Sequence, residues 1–402
     1  MIAGTQAGLA TLTAGDQVNG GAGADTLMVY GNLNTAAFTG AAVSNIETVA
    51  ALFDATGGAL NVSGNAAVTS VNIGASTVTN AAGSGAATVT LTKAQAAGIT
   101  GTILNDTITP GAGNNVAVTF AFSDVTGGAD TATLNVSGAR LALNAANTSG
   151  TGNGVTIAGV ETLNIAATGA NALGNLAVAQ TTKLVITGAG SLSATLSTAT
   201  GLTKTIDGST ATGALTLVNT AAAAAVESIK TGSGNDIYTT VFANLTSADE
   251  IDLGTGTDSL RFSDAVTITS AIHAAALTKV VGVEQLGTVG TALTIDGNFV
   301  SQTSYFTSGA GSVALTNVAN NADVTFAAGT TGASTAAMKL GANTLNINLA
   351  GTAAAATNAV AGLTATGSAT VNVRSTGTEG IANNVLALTA ADNQSVVVTA
   401  QL

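Results

Sequence analysis

The residues best suited to chemistry are a few carboxylates set among glycines, and three stretches share one spacing. They are Asp16-Gln17-Val18-Asn19-Gly20-Gly21-Ala22-Gly23-Ala24-Asp25-Thr26-Leu27, Glu227-Ser228-Ile229-Lys230-Thr231-Gly232-Ser233-Gly234-Asn235-Asp236-Ile237-Tyr238, and Asp249-Glu250-Ile251-Asp252-Leu253-Gly254-Thr255-Gly256-Thr257-Asp258-Ser259-Leu260. In each, an acid stands nine residues before an Asp, a hydrophobe follows two after the first acid, and a Gly-x-Gly step precedes the second acid. Glycine allows backbone conformations that aim carbonyl oxygens inward. A carboxylate beside such carbonyls makes an oxygen-only cage, which suits Ca2+ with its six to eight oxygen ligands. The candidate metal residues are therefore Asp16, Asn19, Gly21, Gly23 and Asp25; Glu227, Gly232, Gly234 and Asp236; and Asp249, Asp252, Gly254, Gly256 and Asp258. The same Gly-Asp turns without an ion are the alternative. Ser123-Asp124-Val125-Thr126-Gly127-Gly128-Ala129-Asp130 and Asn105-Asp106 are looser variants.

The spacing follows the RTX-like nonapeptide, in which six residues form a turn, three form a short strand, and successive turns share ions as they stack. Gly20 to Leu27 fits that pattern in full, while Thr231 and Leu253 replace the first glycine in the other two stretches. Each place holds about two units, which favours isolated sites over a long calcium ladder.

The elements that must carry these turns read as short strands. Leu60-Asn61-Val62-Ser63-Gly64 returns identically as Leu134-Asn135-Val136-Ser137-Gly138, and Leu163-Asn164-Ile165, Leu184-Val185-Ile186, Leu293-Thr294-Ile295, Leu345-Asn346-Ile347 and Val371-Asn372-Val373 follow the same style. Alternation of apolar and polar residues between turn formers reads as β-strand, and a recurrence of about 20–30 residues reads as stacked rungs. A second element places Glu47, Glu161, Glu227 and Glu284 after a hydrophobe at the entry to such strands. Turn chemistry predicts that these glutamates accept backbone N–H groups, with a cation-ligand role as the alternative. Helix is expected to be sparse, a turn or two at Thr92 to Ala97 or Asp264 to Lys279. The expected fold is all-β: a parallel β-solenoid or β-helix-like stack of short strands with very little helix. Three segments are expected, 1–225 with the first motif at 16–29, 226–265 as the calcium-binding segment, and 266–402.

Composition narrows the function. Only 7% of the 402 residues are charged, against about 25% in an ordinary soluble domain, and the net charge of −12 opposes nucleic-acid binding. With no cysteine, thiol catalysis, thiolate metal sites and disulfides are excluded. The start, MIAGTQAGLATLTAGDQ, lacks the basic and apolar regions of an export signal peptide, and no stretch of about 18 apolar residues predicts a membrane span. The protein then stays inside the cell, uses a C-terminal secretion signal, or is part of something longer, and the charge-poor composition favours the last two. His273 is the sole histidine and has no second histidine to share metal or base duty. The clustered Asp249, Glu250 and Asp252 are the residue types of a glycan hydrolase, yet the chain has no Trp for a sugar platform. No enzyme is expected.

Val160-Glu161-Thr162-Leu163-Asn164-Ile165-Ala166-Ala167, then Lys183-Leu184-Val185-Ile186-Thr187-Gly188, resembles the C-terminal region of Caulobacter-type bacterial surface-layer (S-layer) proteins. So does the order that follows: Ile206-Asp207-Gly208-Ser209, Leu215-Thr216-Leu217 and Gly232 to Asp236. The resemblance covers roughly residues 155–262. It implies a secreted protein exported by a type I route, which folds and self-assembles into a two-dimensional lattice on the bacterial cell surface when calcium is available. It further implies that Asp16, Asp25, Asp236, Asp249 and Asp258 are calcium ligands, with Gly21, Gly23, Gly232, Gly234, Gly254 and Gly256 providing the turns. A cell-surface polysaccharide is a candidate partner through another region. A secreted adhesin or matrix-binding module is the rival reading, since it would share fold, ion and export route.

Overall fold

The computed structural model describes residues 2–3, 16–31, 42–53, 58–74, 76–78, 85–105, 116–143, 154–197, 204–219, 227–327, 330–341, 344–350, 357–375, 383–390 and 394–400. They form two compact units, Met1–Ala221 with Ser228–Gly234, and Ala222–Glu227 with Asn235–Leu402. In both, short parallel strands stack as a β-solenoid, about 12 turns in all, with only 3% helix. The expected all-β solenoid is thus the fold.

In the first unit the strands alternate between two walls. Thr131–Leu143, Thr162–Thr168, Lys183–Gly188, Thr205–Ala211 and Ser228–Lys230 pair in order along one wall. Gly154–Ala158, Ala170–Ala177, Ser191–Ser197 and Leu215–Val218 form the other. Register sets Ala132, Leu163, Leu184, Ile206 and Ile229 in one inward column, each all but fully buried. The alternation seen in the sequence explains this, because side chains of a strand point to opposite faces and a parallel register stacks like on like. Burying a Leu, Ile or Val contributes about 1.5–3 kcal/mol each.

In the second unit one wall runs Ile237–Thr240, Ser259–Phe262, Gln285–Val289, Ser304–Ser308, Ala322–Ala327, Thr344–Ala350, Thr370–Ser375 and Ser395–Ala400. Its inward column is Tyr238, Leu260, Leu286, Tyr305, Val324, Ile347 and Val373. Val266–Ile268, Leu293–Asp296, Val313–Val318 and Ser334–Met338 stack opposite. Helix occurs where Asp264 to Lys279 predicts it, as Ala271–Ala274 and a 3-10 turn at Ala275–Leu277. At Thr92 to Ala97 the chain makes only a turn before strand Ala96–Asn105 begins.

Coils stack at the recurrence of about 20–30 residues read from the strands, and the nine-residue step of the motifs is not the stacking stride. Asp25 meets Glu47 of the next coil, and Asp236 meets Asp258, each 22 residues on. Nine residues carry the chain only from one wall to the next within a coil: Gln17–Asn19 stacks on Ala42–Ser44, while Thr26–Gly31 stacks on Thr48–Phe53. A coil with two walls and turns needs more chain than one nonapeptide supplies.

Candidate metal centre

The acids gather at coil corners, where a turn enters a strand. At the first motif the Asp25 N–H donates to Glu47 Oε2 at 2.7 Å, and the Asp25 carbonyl accepts from the N–H groups of Glu47 and Thr48 at 3.2 and 3.0 Å. Asn19 Oδ1 accepts from Gly21 N and from Asn45 Nδ2. Gly21 and Gly23 stand at φ 93° and 128°, the left-handed region that favours glycine. Asp25 Oδ2 is buried and accepts no hydrogen bond. Asp16 lies just before strand Gln17–Asn19 and is half-buried.

The Asp249–Leu260 motif repeats this arrangement one acid deeper. Asp258 Oδ1 accepts from Asp236 N at 2.7 Å, and Asp258 N donates to Glu284 Oε2 at 2.8 Å. Its carbonyl accepts from Glu284 N and Gln285 N. Asp236, Asp258 and Glu284 therefore form a column, in which the carboxylates of Asp258 and Glu284 each catch the backbone N–H of the acid one coil before. Asp258 is 0% exposed, and its Oδ2 is buried with no hydrogen-bond donor. Burial, then the charges of Asp236 and Glu284, push its pKa up to about 6. Gly254 and Gly256 have φ of 81° and 150°, and Asp252 Oδ1 accepts from Gly254 N, closing the turn.

The remaining acids are held differently. Asp249 Oδ1 accepts from Glu227 N at 2.6 Å, and its Oδ2 accepts from Thr246 N and Oγ1, so both oxygens already serve backbone caps. Glu227 accepts from the Tyr238 hydroxyl at 3.1 Å. Burial drives its pKa up to about 7, with the Tyr238 bond opposing and the Asp249 charge adding. Gly232 and Gly234 lack the left-handed bend of their counterparts. They are glycine because a Cβ would lie 1.8 Å from Ala211 O and 2.7 Å from Ala214 Cα. The Gly232–Gly234 turn of the Glu227–Tyr238 motif is thus a close-packing turn.

No protein-family model and no curated protein matches this chain.

The recurrent glutamates do accept backbone N–H groups, at Glu47, Glu161 and Glu284. Sequence reasoning singled them out but did not pair them with the acids one coil back. The signal was present, since Glu227 and Asp249, like Asp236 and Asp258, share an offset of 22. Asp106 of the loose Asn105-Asp106 variant lies outside the described residues. His273 is exposed, its Nδ1 accepting from Thr269 N. No described helix is long and apolar enough to cross a membrane.

A divalent ion fits two of these corners on one observation: a buried carboxylate oxygen without a donor is costly, and Asp25 Oδ2 and Asp258 Oδ2 are such oxygens. Among the described residues no group of three or more Asp, Glu or His could hold a metal by side chains alone. An ion there would take the carboxylate oxygen of Asp25 or Asp258, and with no further side-chain acids grouped about it its other ligands would be main-chain or amide oxygens. That is a hard-oxygen set suited to calcium and unsuited to zinc.

Proposed function

We propose that this chain is a calcium-stabilised structural segment of a secreted bacterial surface layer, whose coils close on calcium and then assemble with further copies of themselves. The observation that carries the calcium part is the pair of buried, donor-less oxygens at Asp25 and Asp258, each beside a glycine bend. Calcium supplies the positive charge these carboxylates lack. The protein's own residues hold the corner in shape, through Glu47 and Glu284 on the backbone N–H groups and the glycines in the bends. An ion that binds only the folded state stabilises it by mass action, about 2.7 kcal/mol per site at a hundredfold excess over Kd. The structural role is supported by the all-β solenoid, by a surface of hydroxyls and amides in place of charge, and by the resemblance over residues 155–262 to surface-layer proteins.

The test is thermal unfolding of the purified chain in chelator and in calcium, with electron micrographs of both samples. A Tm raised by calcium, lost in Asp25→Asn and Asp258→Asn, together with ordered sheets, supports the reading. A Tm indifferent to calcium overturns the ion. Soluble monomers in calcium overturn the layer and favour the adhesin.

A further inference from the structure

The Asp130 turn has the same backbone frame as the Asp25 turn and a different charge balance. Asp130 N donates to Glu161 Oε2 at 2.8 Å, and its carbonyl accepts from Glu161 N and Thr162 N, both at 3.0 Å. Those are the bonds Asp25 makes with Glu47 and Thr48. Here, though, neither carboxylate oxygen lacks a donor. Asp130 Oδ2 accepts from Gly127 N at 3.0 Å, and Asp130 Oδ1 receives the Lys93 ammonium at 2.6 Å. The same ammonium reaches the carbonyl oxygen of Asp124 at 3.4 Å, and the backbone N–H of Lys93 donates to Asp124 Oδ1 at 2.7 Å.

We propose that the Asp124–Asp130 turn is a cation site filled from within the chain: the Lys93 ammonium does there what a divalent ion does at the Asp25 and Asp258 turns. This rests on the calcium reading of those two turns. The donor set is the one a hard cation would take, a carboxylate oxygen and a main-chain carbonyl. The lysine is also presented by a rigid turn. Gln95, buried beside it, accepts from Thr92 N and donates to the carbonyls of Val62, Asn65 and Val68. Lys93 is not a loose surface partner, because the Asp130 side chain is only 8% exposed while the lysine stem reaches in from a 40% exposed position. The groups facing the ammonium are Asp130, Asp124 and Glu161, all acidic, and each favours its charged form. Asp130 in turn is held below the usual carboxylate range, chiefly by its hydrogen bond from Lys93. This corner closes without an ion.

The experiment compares wild type with Lys93→Met, Asp25→Asn and Asp258→Asn, reading Tm in chelator and in calcium, and calcium bound per chain by equilibrium dialysis. In chelator, Lys93→Met is expected to lower Tm, whereas Asp25→Asn and Asp258→Asn leave it unchanged or raise it, since they remove a carboxylate that has no countercharge. In calcium, Lys93→Met is expected to recover and to bind one ion more than wild type. If Lys93→Met does not fold in chelator, recovery in calcium is the same positive result, and failure to recover overturns the proposal. A Lys93→Met protein that matches wild type in chelator and binds no additional ion also overturns it. Loss of the calcium reading itself would show separately, as wild type binding no ion.

Discussion

The Asp130 corner of the first unit and the Asp258 corner of the second are one piece of backbone engineering with two ways of balancing charge. Both catch the N–H of an acid with the carboxylate of a neighbouring coil and return its carbonyl to the strand that follows. At Asp130 an ammonium on a tether completes the balance. At Asp258 one oxygen is buried with no donor, and two further carboxylates stand in the same column. The contrast teaches that the carboxylate ladder is a structural device first, which closes coils by hydrogen bonds. On the calcium proposal, a bound cation would take the place of that lysine at Asp25 and Asp258.

The largest effects are expected beneath the corners, in the walls that carry them. Leu163→Ala in the first unit and Leu260→Ala in the second each empty a fully buried site and should cost about 2–5 kcal/mol. Denaturant unfolding should show that loss equally in chelator and calcium, because no ion refills a cavity. A loss that calcium repairs would mean the walls depend on the corners.

Acidity sharpens the contrast with an effect of intermediate size. Asp258 and Glu227 have folded pKa values of about 6 and about 7, raised first by burial, so the native state holds protons more tightly than the unfolded chain. Their stabilising contribution is present below their ordinary values of 3.8 and 4.5 and is lost as pH rises through about 6 and 7. Asp130 has the opposite sign: its folded pKa is lowered, so its contribution is present above its ordinary value and lost as pH falls through the folded one. Metal-free stability of the second unit should therefore fall between about pH 4 and 7. Calcium should reverse that slope, since it binds the deprotonated carboxylate. Chemical denaturation across this range checks both signs, and a metal-free slope that rises would contradict them.

The smallest expected effect is Tyr238→Phe, which removes the hydroxyl donated to Glu227 at 3.1 Å. About 1 kcal/mol should be lost, and the Glu227 carboxyl should titrate higher still, because that bond is what opposes burial. Titration followed by carboxyl NMR reads the shift directly.

Much of the fold is legible in the sequence. Leu163-Asn164-Ile165 and its kin are strands because alternation at period two is read directly off the residues. The glycine bends at Gly21, Gly23, Gly254 and Gly256 are also legible, since few other residues tolerate positive φ. What was hidden is which residues meet across coils. The nine-residue step within one coil masks the 22-residue step between coils, and the partners of Asp25 and Asp258 are glutamates belonging to a different local motif. Lys93 was hidden for the same reason, standing 37 residues from Asp130. No local pattern announces a tethered charge that must cross between coils.

The most direct measurement is an experimental density map, at a resolution that shows ions, from protein prepared in calcium. An ion is expected against Asp25 Oδ2 and another against Asp258 Oδ2, with the Lys93 ammonium alone on Asp130 Oδ1. Corners at Asp25 and Asp258 that hold no ion under those conditions would contradict the calcium reading.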